Sequence, residues 1–145
     1  MKNTDIALKK YLVSILDHEG WKYKEQEESI ICSVAYKTRQ WKMIFYCKQN
    51  VCSCQSIFPW SIDKTQKESI LLLCNELNIN QIRGTFLVRS YAKDDYIEVK
   101  TSSIVLDEFV MVQTLKELIL TQVSITLHYW ETIYEEIEKT NRKWR

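Results

Sequence analysis

Residues 73–101, LCNELNINQIRGTFLVRSYAKDDYIEVKT, decide the predicted fold. An apolar helix end runs into the helix-breaking residues 78–80. Two alternating segments follow, at residues 82–91 and 96–101, and predict a β-hairpin around a charged turn. Gly84 lies inside the first of these strands, where a glycine often marks a bulge or a close backbone approach. The stretch carries no reacting group, so it indicates architecture more than activity.

Three strands are predicted before this stretch. Alternation of apolar and polar side chains places them at residues 30–36, 41–48 and 51–58. The strand at 41–48 has on its core face Trp41, Met43, Phe45 and Cys47. The strand at 30–36 is apolar on both faces, which predicts burial on both sides. Pro59 is expected to end the third strand, because proline cannot donate to a ladder. Residues 21–24 are either a short strand or an extended segment.

Three helices are predicted around the strands. The first runs from an Asn3 or Thr4 cap to Gly20, the second from a Ser61 or Asp63 cap to about Leu77, and the third from Asp107 to about Lys139. An apolar stripe from Phe109 to Ile137 follows helical spacing along the third helix, and no charged residue lies between Leu118 and Trp130. Such a helix must be covered on more than one side. The second covering is either more of the same domain or a second copy of the chain.

These elements define the expected fold class. Their order is α-β-β-β-α-β-β-α, which predicts an α+β domain with an antiparallel sheet of about five strands, flanking helices and a long C-terminal helix. We expect residues 1–145 to form a single domain, with a frayed tail at residues 140–145.

Composition excludes few functions. The 145 residues carry a formal net charge of +1, which gives no overall attraction to nucleic acid or anionic lipid. The N-terminal segment lacks the uninterrupted apolar core of a signal peptide. Residues 118–130 are too short and too polar to span a bilayer. We therefore expect a cytoplasmic location without membrane association.

Five cysteines are present, and three of them are close in sequence: Cys47, Cys52 and Cys54. Structural zinc sites usually separate paired cysteines by two residues and add a second pair elsewhere, and this cluster has neither feature. Cysteines of structural or incidental role are favoured. A metal or redox sensor built on these three thiols stays open as an alternative.

Signatures of catalysis are missing from the sequence. His18 and His128 have no serine or cysteine in a recognisable motif beside them. With only Gly20 and Gly84 present, neither a phosphate-cradling loop nor a dinucleotide fingerprint can be formed. We expect no enzymatic activity and no cofactor.

A mixture of basic and aromatic residues lies between Lys22 and Lys48. Lysines and Arg39 alternate there with Trp21, Trp41 and Tyr46, a composition that suits single-stranded nucleic acid. The acidic run at residues 25–28 and the near-neutral charge argue against it. Solvated strand edges are favoured, and a nucleic-acid or anion-binding module is kept as an alternative.

Short motifs also connect the chain to a known family. They are Asn75-Glu76-Leu77-Asn78, Gly84-Thr85-Phe86-Leu87-Val88, Tyr96-Ile97-Glu98-Val99 and the terminal helix with Leu115 and Tyr129. Across roughly residues 8–137, the chain resembles the YbjN-like proteins of bacteria, within the type III secretion chaperone-like fold. The resemblance implies an α+β domain that often self-associates, has no established catalytic residues, and acts as a regulator or chaperone-like adaptor.

The resulting functional prediction is a non-catalytic protein-interaction module. We expect it to bind a protein partner or an extended peptide through a sheet face, a sheet edge or the terminal helix, and to form a homodimer through that helix. The candidate contact residues are Trp41, Met43, Phe45, Trp130 and Ile133. The same side chains equally fit a hydrophobic core.

Overall fold

A computed structural model describes residues 3–80, 83–105 and 107–143. Its helices are α1 (Asn3–Glu19), α2 (Lys67–Asn80) and α3 (Met111–Lys143). Its strands are β1 (Lys22–Glu25), β2 (Ser29–Tyr36), β3 (Arg39–Lys48), β4 (Val51–Ile62), β5 (Thr85–Tyr91) and β6 (Asp94–Ile104). Single 3-10 turns, Lys64–Gln66 and Glu108–Val110, precede α2 and α3.

Within the described residues, the strands form one six-stranded sheet in the order β1-β2-β3-β4-β6-β5, and every neighbouring pair is antiparallel. The predicted α+β class is confirmed. The sheet has one strand more than the five expected, because the segment after Gly20 pairs with β2 as β1. Gly20 adopts a φ of 73°, so α1 ends in the left-handed conformation that glycine accepts most easily.

One face of the sheet carries the core. The helices α1 and α3 pack on each other and on this face, and α2 packs against β5. Alternate residues of β3 point toward them, as the alternation predicted, and Met43 and Phe45 are fully buried there with Phe58 and Leu115. We call this side the covered face. The opposite side, on which no described element packs, is the open face.

Pro59 does not end the third predicted strand, because β4 continues through it to Ile62. The register between β4 and β6 shifts between Ile57 and Ser61, so extra residues of β4 bulge out opposite β6. A bulge tolerates proline because the missing N–H is not needed for the ladder.

The edge strand β5 is capped by a side chain of α2. Phe86 N–H donates to Asn78 Oδ1 at 2.6 Å, and Asn78 Nδ2 donates to Phe86 O at 2.9 Å. The Asn78 amide thus takes the place of a further strand at Phe86, so these backbone groups of the edge strand cannot pair with another chain. Asn78 does not break the helix as predicted, since α2 continues to Asn80. Gly84 precedes β5 rather than lying inside it, and predicted strand residue 82 lies outside the described residues.

The third helix is longer than predicted and reaches Lys143. Asp107 begins its leading turn, with its carboxylate accepting from Phe109 N–H at 2.9 Å. Phe109 was expected in the apolar stripe, but it is 97% exposed because it lies in this turn ahead of the helix. The frayed tail at residues 140–145 stays a prediction, and its last two residues lie outside the described range.

Candidate functional site

The open face forms a hollow of about 900 Å³. Strands β1–β4 and the tyrosines of the β5–β6 hairpin line it. The apolar and aromatic lining includes Trp21, Ile31, Ile44, Ile57, Tyr91 and Tyr96, and the polar lining includes Lys22, Ser33 and Lys42. Such a concavity, mostly apolar with a few polar groups, is typical of binding sites.

The register of the strands explains how these side chains come together. Directly opposed residues of antiparallel strands share a face. Ser33 opposes Lys42, Lys42 opposes Ile57, Ile57 opposes Glu98, and Glu98 opposes Leu87. One continuous row therefore crosses the open face from β2 to β5.

The strand β2 differs from its prediction on this face. Burial on both sides was expected, but Ser33 and Ala35 are exposed and Ile31 is half-buried. The prediction of near-complete burial on both sides fails at Ser33 and Ala35, because these small residues form the wall of an open hollow instead of packing in a core.

Glu98 is a buried carboxylate at the β5 end of the row, with no exposed surface. The Tyr91 hydroxyl donates to Glu98 Oε2, and Arg89 Nε lies 3.0 Å from Glu98 Oε1. Burial and the hydrogen bond to Glu98 raise the pKa of Tyr91, so the phenol keeps its proton and continues to donate. The negative charge of Glu98 is thus compensated by Arg89, whose side chain is still 43% exposed.

The remaining charge on the open face is largely positive. Lys22, Lys24, Lys42 and Lys100 lie on it by register, and within the described residues none of them forms a salt bridge. Lys42 Nζ donates instead to Ser33 Oγ at 2.7 Å. The acidic residues on this face are the compensated Glu98 and, by register at the hairpin end, Asp94. The hollow is therefore an apolar surface with a cationic rim.

The five predicted contact residues belong to the covered side of the sheet, although Trp41 also borders the hollow and Trp130 borders a smaller depression beside Arg39. Their exposed fractions are 3% for Trp41, 0% for Met43, 1% for Phe45, 7% for Trp130 and 0% for Ile133. The alternation that identified the strand face was correct, but this face is the covered one. Burial assigns all five side chains to the core rather than to the surface.

Trp130 is the centre of an aromatic cluster in that core. Its ring centroid lies 4.8 Å from that of Trp60, 5.6 Å from that of Trp41 and 6.0 Å from that of Phe58. The inner stripe of α3 is thus covered by the chain's own sheet. A homodimer through α3 stays a prediction, and it would have to use outer residues such as Leu120, which is 68% exposed.

The three clustered cysteines all lie on the covered face of the sheet. Cys47 and Cys52 oppose each other on β3 and β4, with their sulfur atoms 3.6 Å apart. Cys54 opposes Phe45, and full burial raises the pKa of its thiol. No group of three or more His, Cys, Asp or Glu side chains suited to a metal ion occurs within the described part of the chain.

Several residues of the open face were not predicted as a site. Lys22, Lys24 and Lys42 were predicted as binding residues only in the alternative basic and aromatic surface between Lys22 and Lys48, and Glu98 was recognised only as part of a short motif. The available signal was Ile44 beside Lys42 on the half-polar face of β3, with Ile31 and Ile57 as apolar residues on the corresponding faces of β2 and β4. That signal becomes specific only once the strand order is known.

The fold and site define a class of helix-on-sheet α+β domains with one sheet face left open, and this fold is YbjN-like. The crystal structure of YbjN, a proposed transcription regulator from E. coli, aligns with a TM-score of 0.55, with 11% identity, over 84% of this chain and 93% of that chain. The resemblance predicted from the sequence is confirmed at the level of the fold.

The sequence itself gives no comparable match. No family model matches it. No curated protein matches it significantly. Among the described helices, none has the length and apolar character needed to cross a bilayer.

Proposed function

We propose that this domain is a non-catalytic protein-interaction module, a regulatory or chaperone-like adaptor of the cytoplasm, that binds an extended acidic protein segment across its open face. The observation that carries the proposal is the uncovered hollow of about 900 Å³ with an apolar floor and lysines on its rim. Exposed apolar concavities rimmed by polar residues are typical of interaction surfaces.

The floor supports binding through apolar side chains. Ile31, Ile44 and Ile57 form neighbouring positions on three adjacent strands. A bound segment with apolar residues at alternate positions would place them on this floor, because alternate residues of an extended chain point to one side. Burial of each such side chain would contribute about 1.5–3 kcal/mol before the costs of association.

The rim supports an acidic partner. Lys22, Lys24 and Lys42 face the solvent without a salt bridge within the described residues. Carboxylates of a bound segment would supply the missing counter-charges and speed association. Arg89 uses Nε for Glu98, which leaves the rest of its guanidinium group available for another carboxylate.

The same charges would attract single-stranded nucleic acid, the alternative expected from the sequence. Strand binders of that kind stack bases on exposed aromatic rings. The centre of this hollow, on β2, β3 and β4, is aliphatic, and its aromatic residues Trp21, Tyr91 and Tyr96 lie on the flanking segments, which favours a protein segment. Regulation through a protein partner rather than through catalysis also agrees with the absence of catalytic signatures in the sequence.

The proposal can be tested with one designed peptide. The probe is a fluorescein-labelled ten-residue peptide that alternates Glu and Val. The control peptide has Lys in place of every Glu. Fluorescence anisotropy should show binding of the acidic peptide alone. Lys42→Glu should weaken this binding about tenfold or more, corresponding to ~1.4 kcal/mol. Ile57→Glu should weaken it further, because that variant also charges the floor.

The matched control is Lys116→Glu, the same change at an exposed position of α3. It should leave the affinity within about twofold of the original. Equal binding of the two peptides, or equal loss in the Lys116 and Lys42 variants, would refute the open face as the site. Tighter binding of labelled oligo(dT) than of the acidic peptide would establish the nucleic-acid alternative instead.

A further inference from the structure

The opposed residues Cys47 and Cys52 are placed by the strand pairing at a separation that allows a disulfide bond. The pair lies next to the two-residue turn Gln49-Asn50, which is flanked by the opposed residues Lys48 and Val51. Because the pair flanking such a turn is hydrogen-bonded, the next pair outward is a non-hydrogen-bonded one, with Cα atoms about 4.5 Å apart. That separation lies within the range of natural disulfides, about 4.4–6.8 Å.

We propose that Cys47 and Cys52 form a peroxide-reactive thiol pair that closes to a disulfide between β3 and β4. The sulfur atoms are 3.6 Å apart in the reduced protein. A disulfide bond is about 2.05 Å long, so closure needs an approach of only about 1.5 Å. Small side-chain rotations supply such a movement without a change in strand register.

The end of the hairpin is held in place from α1. Gln49 N–H and Asn50 N–H donate to the two carboxylate oxygens of Asp5, each at 3.0 Å, and Asp5 is only 3% exposed. Both turn residues have positive φ, at 54° and 63°. Val105 N–H donates to Asn50 O at 2.7 Å from the other side. A turn fixed by these contacts keeps the two sulfurs opposed.

The two thiols are not equivalent. Cys47 is 6% exposed and Cys52 is completely buried, so an oxidant reaches Cys47 first. The hydrogen bond between the two thiols lowers the pKa of Cys47, and the nearby charge of Lys9 acts in the same direction, while burial and the charge of Asp5 act against it. By contrast, burial raises the pKa of Cys32 to about 12 and that of Cys74 to about 11. Cys47 is therefore the reacting sulfur and Cys52 the resolving one.

Hydrogen peroxide is an oxidant small enough for such a narrow approach. The Cys47 thiolate attacks one peroxide oxygen, the O–O bond breaks, and Cys47 sulfenic acid and hydroxide form. The Cys52 sulfur then attacks the sulfenic sulfur, the S–O bond breaks, and the hydroxyl leaves as water with the Cys52 proton. Overall, two thiols and one peroxide give one disulfide and two waters. The reaction uses only the covered face, so it neither requires nor excludes binding at the open face.

The test is performed on the folded wild-type chain. After treatment with hydrogen peroxide, the protein is denatured, alkylated with N-ethylmaleimide and mapped by peptide mass spectrometry. We expect a disulfide between Cys47 and Cys52. Cys32, Cys54 and Cys74 should remain reduced and therefore be alkylated. Linkage through Cys54, or loss of all five thiols at one common rate, would overturn the proposal.

Two variants define the roles of the sulfurs. Cys52→Ser should stop at the sulfenic acid, which dimedone traps on Cys47. Cys54→Ser is the matched control and should form the disulfide at the wild-type rate. Dimedone labelling spread evenly over the remaining cysteines of Cys52→Ser would contradict the assignment of Cys47. Because the linkage is mapped on wild-type protein, a variant that fails to fold does not affect the main result.

Discussion

Replacing Gln122 with leucine should destabilise the domain strongly, although Gln122 lies neither in the candidate site nor on the surface. Gln122 is completely buried on α3, where its Nε2 donates at 2.8 Å to both Ser56 Oγ and Val99 O. Its Oε1 accepts from Thr101 Oγ1 at 2.6 Å. Leucine has a similar size but can replace none of these hydrogen bonds.

The magnitude follows from the groups that leucine would leave without a partner. Ser56 keeps a hydrogen bond from Thr126 at 2.7 Å, so the hydroxyl of Thr101 and one bond to the Val99 carbonyl are the real losses. Each unsatisfied buried group costs about 1–3 kcal/mol, so the two together predict a loss of about 2–6 kcal/mol in the free energy of unfolding. Domains of this size have about 5–15 kcal/mol in total.

Urea denaturation followed by circular dichroism measures this loss. Gln113→Leu is the matched control, since Gln113 lies exposed on the same helix, and it should change stability by less than about 0.5 kcal/mol. The double variant Gln122→Leu/Thr101→Val should be no less stable than Gln122→Leu, because valine removes the orphaned hydroxyl. A loss below about 1 kcal/mol for Gln122→Leu, or simple additivity in the double variant, would refute the reasoning.

Three further predictions concern the core, the hairpin and the thiol pair. Trp130→Ala should cost about 3–5 kcal/mol in urea denaturation, because the variant leaves a cavity within a ring cluster, and a loss under about 1 kcal/mol would contradict that packing. Asp5→Ala should cost about 2–3 kcal/mol in urea denaturation, since two hydrogen bonds to a carboxylate disappear, and unchanged stability would show that Asp5 does not hold the turn. The rate of Cys47 oxidation should reach its plateau at lower pH than that of an ordinary thiol, because its lowered pKa makes the thiolate available there. Cys52→Ala should move this midpoint to higher pH, and an unmoved midpoint would count against the hydrogen bond between the thiols.

Local patterns in the sequence were sufficient for most of the fold. The alternation in β3 identified a core face with Met43 and Phe45, and both are buried. The spacing in the last helix identified an inner stripe that includes Trp130 and Ile133. These predictions succeeded because periodicity reports which side chains share a face, and a shared apolar face is the one that packs.

Pro59 and Phe109 show where local rules fail. The ladder rule for proline assumes regular pairing, but the register shift after Ile57 removes the need for an N–H donor at position 59. The helical spacing of Phe109 is correct, yet the residue lies in a 3-10 turn in front of α3 and points into solvent. In both cases a neighbouring irregularity overrides a pattern that would otherwise hold.

The candidate site could not be found from the sequence for a different reason. Alternation distinguishes the two faces of β3 but does not say which face the helices cover. Trp41 was named as a contact because its face is the more apolar one, and for that same reason the helices cover it. What remains open is the less apolar face, with Ile44 and Lys42, and it becomes a continuous hollow only through the order β2-β3-β4-β6.

The net charge of the chain also gives no indication of the site, because it adds charges from opposite sides of the molecule, and a partner contacts only one of them. The chain has 20 Lys and Arg against 19 Asp and Glu, which argued against an anionic partner. However, Glu117 and Glu135 lie exposed on α3, behind the sheet from the lysines of the open face, and Glu131 on the same helix pairs with Arg39. A helix is about 10 Å thick, so these exposed charges lie farther from the lysines than the distance of about 8 Å over which exposed charges are screened at physiological ionic strength. The acidic surface of α3 therefore does little to neutralise the potential at the open face, and a partner approaching Lys22, Lys24 and Lys42 meets a cationic surface on an almost neutral protein.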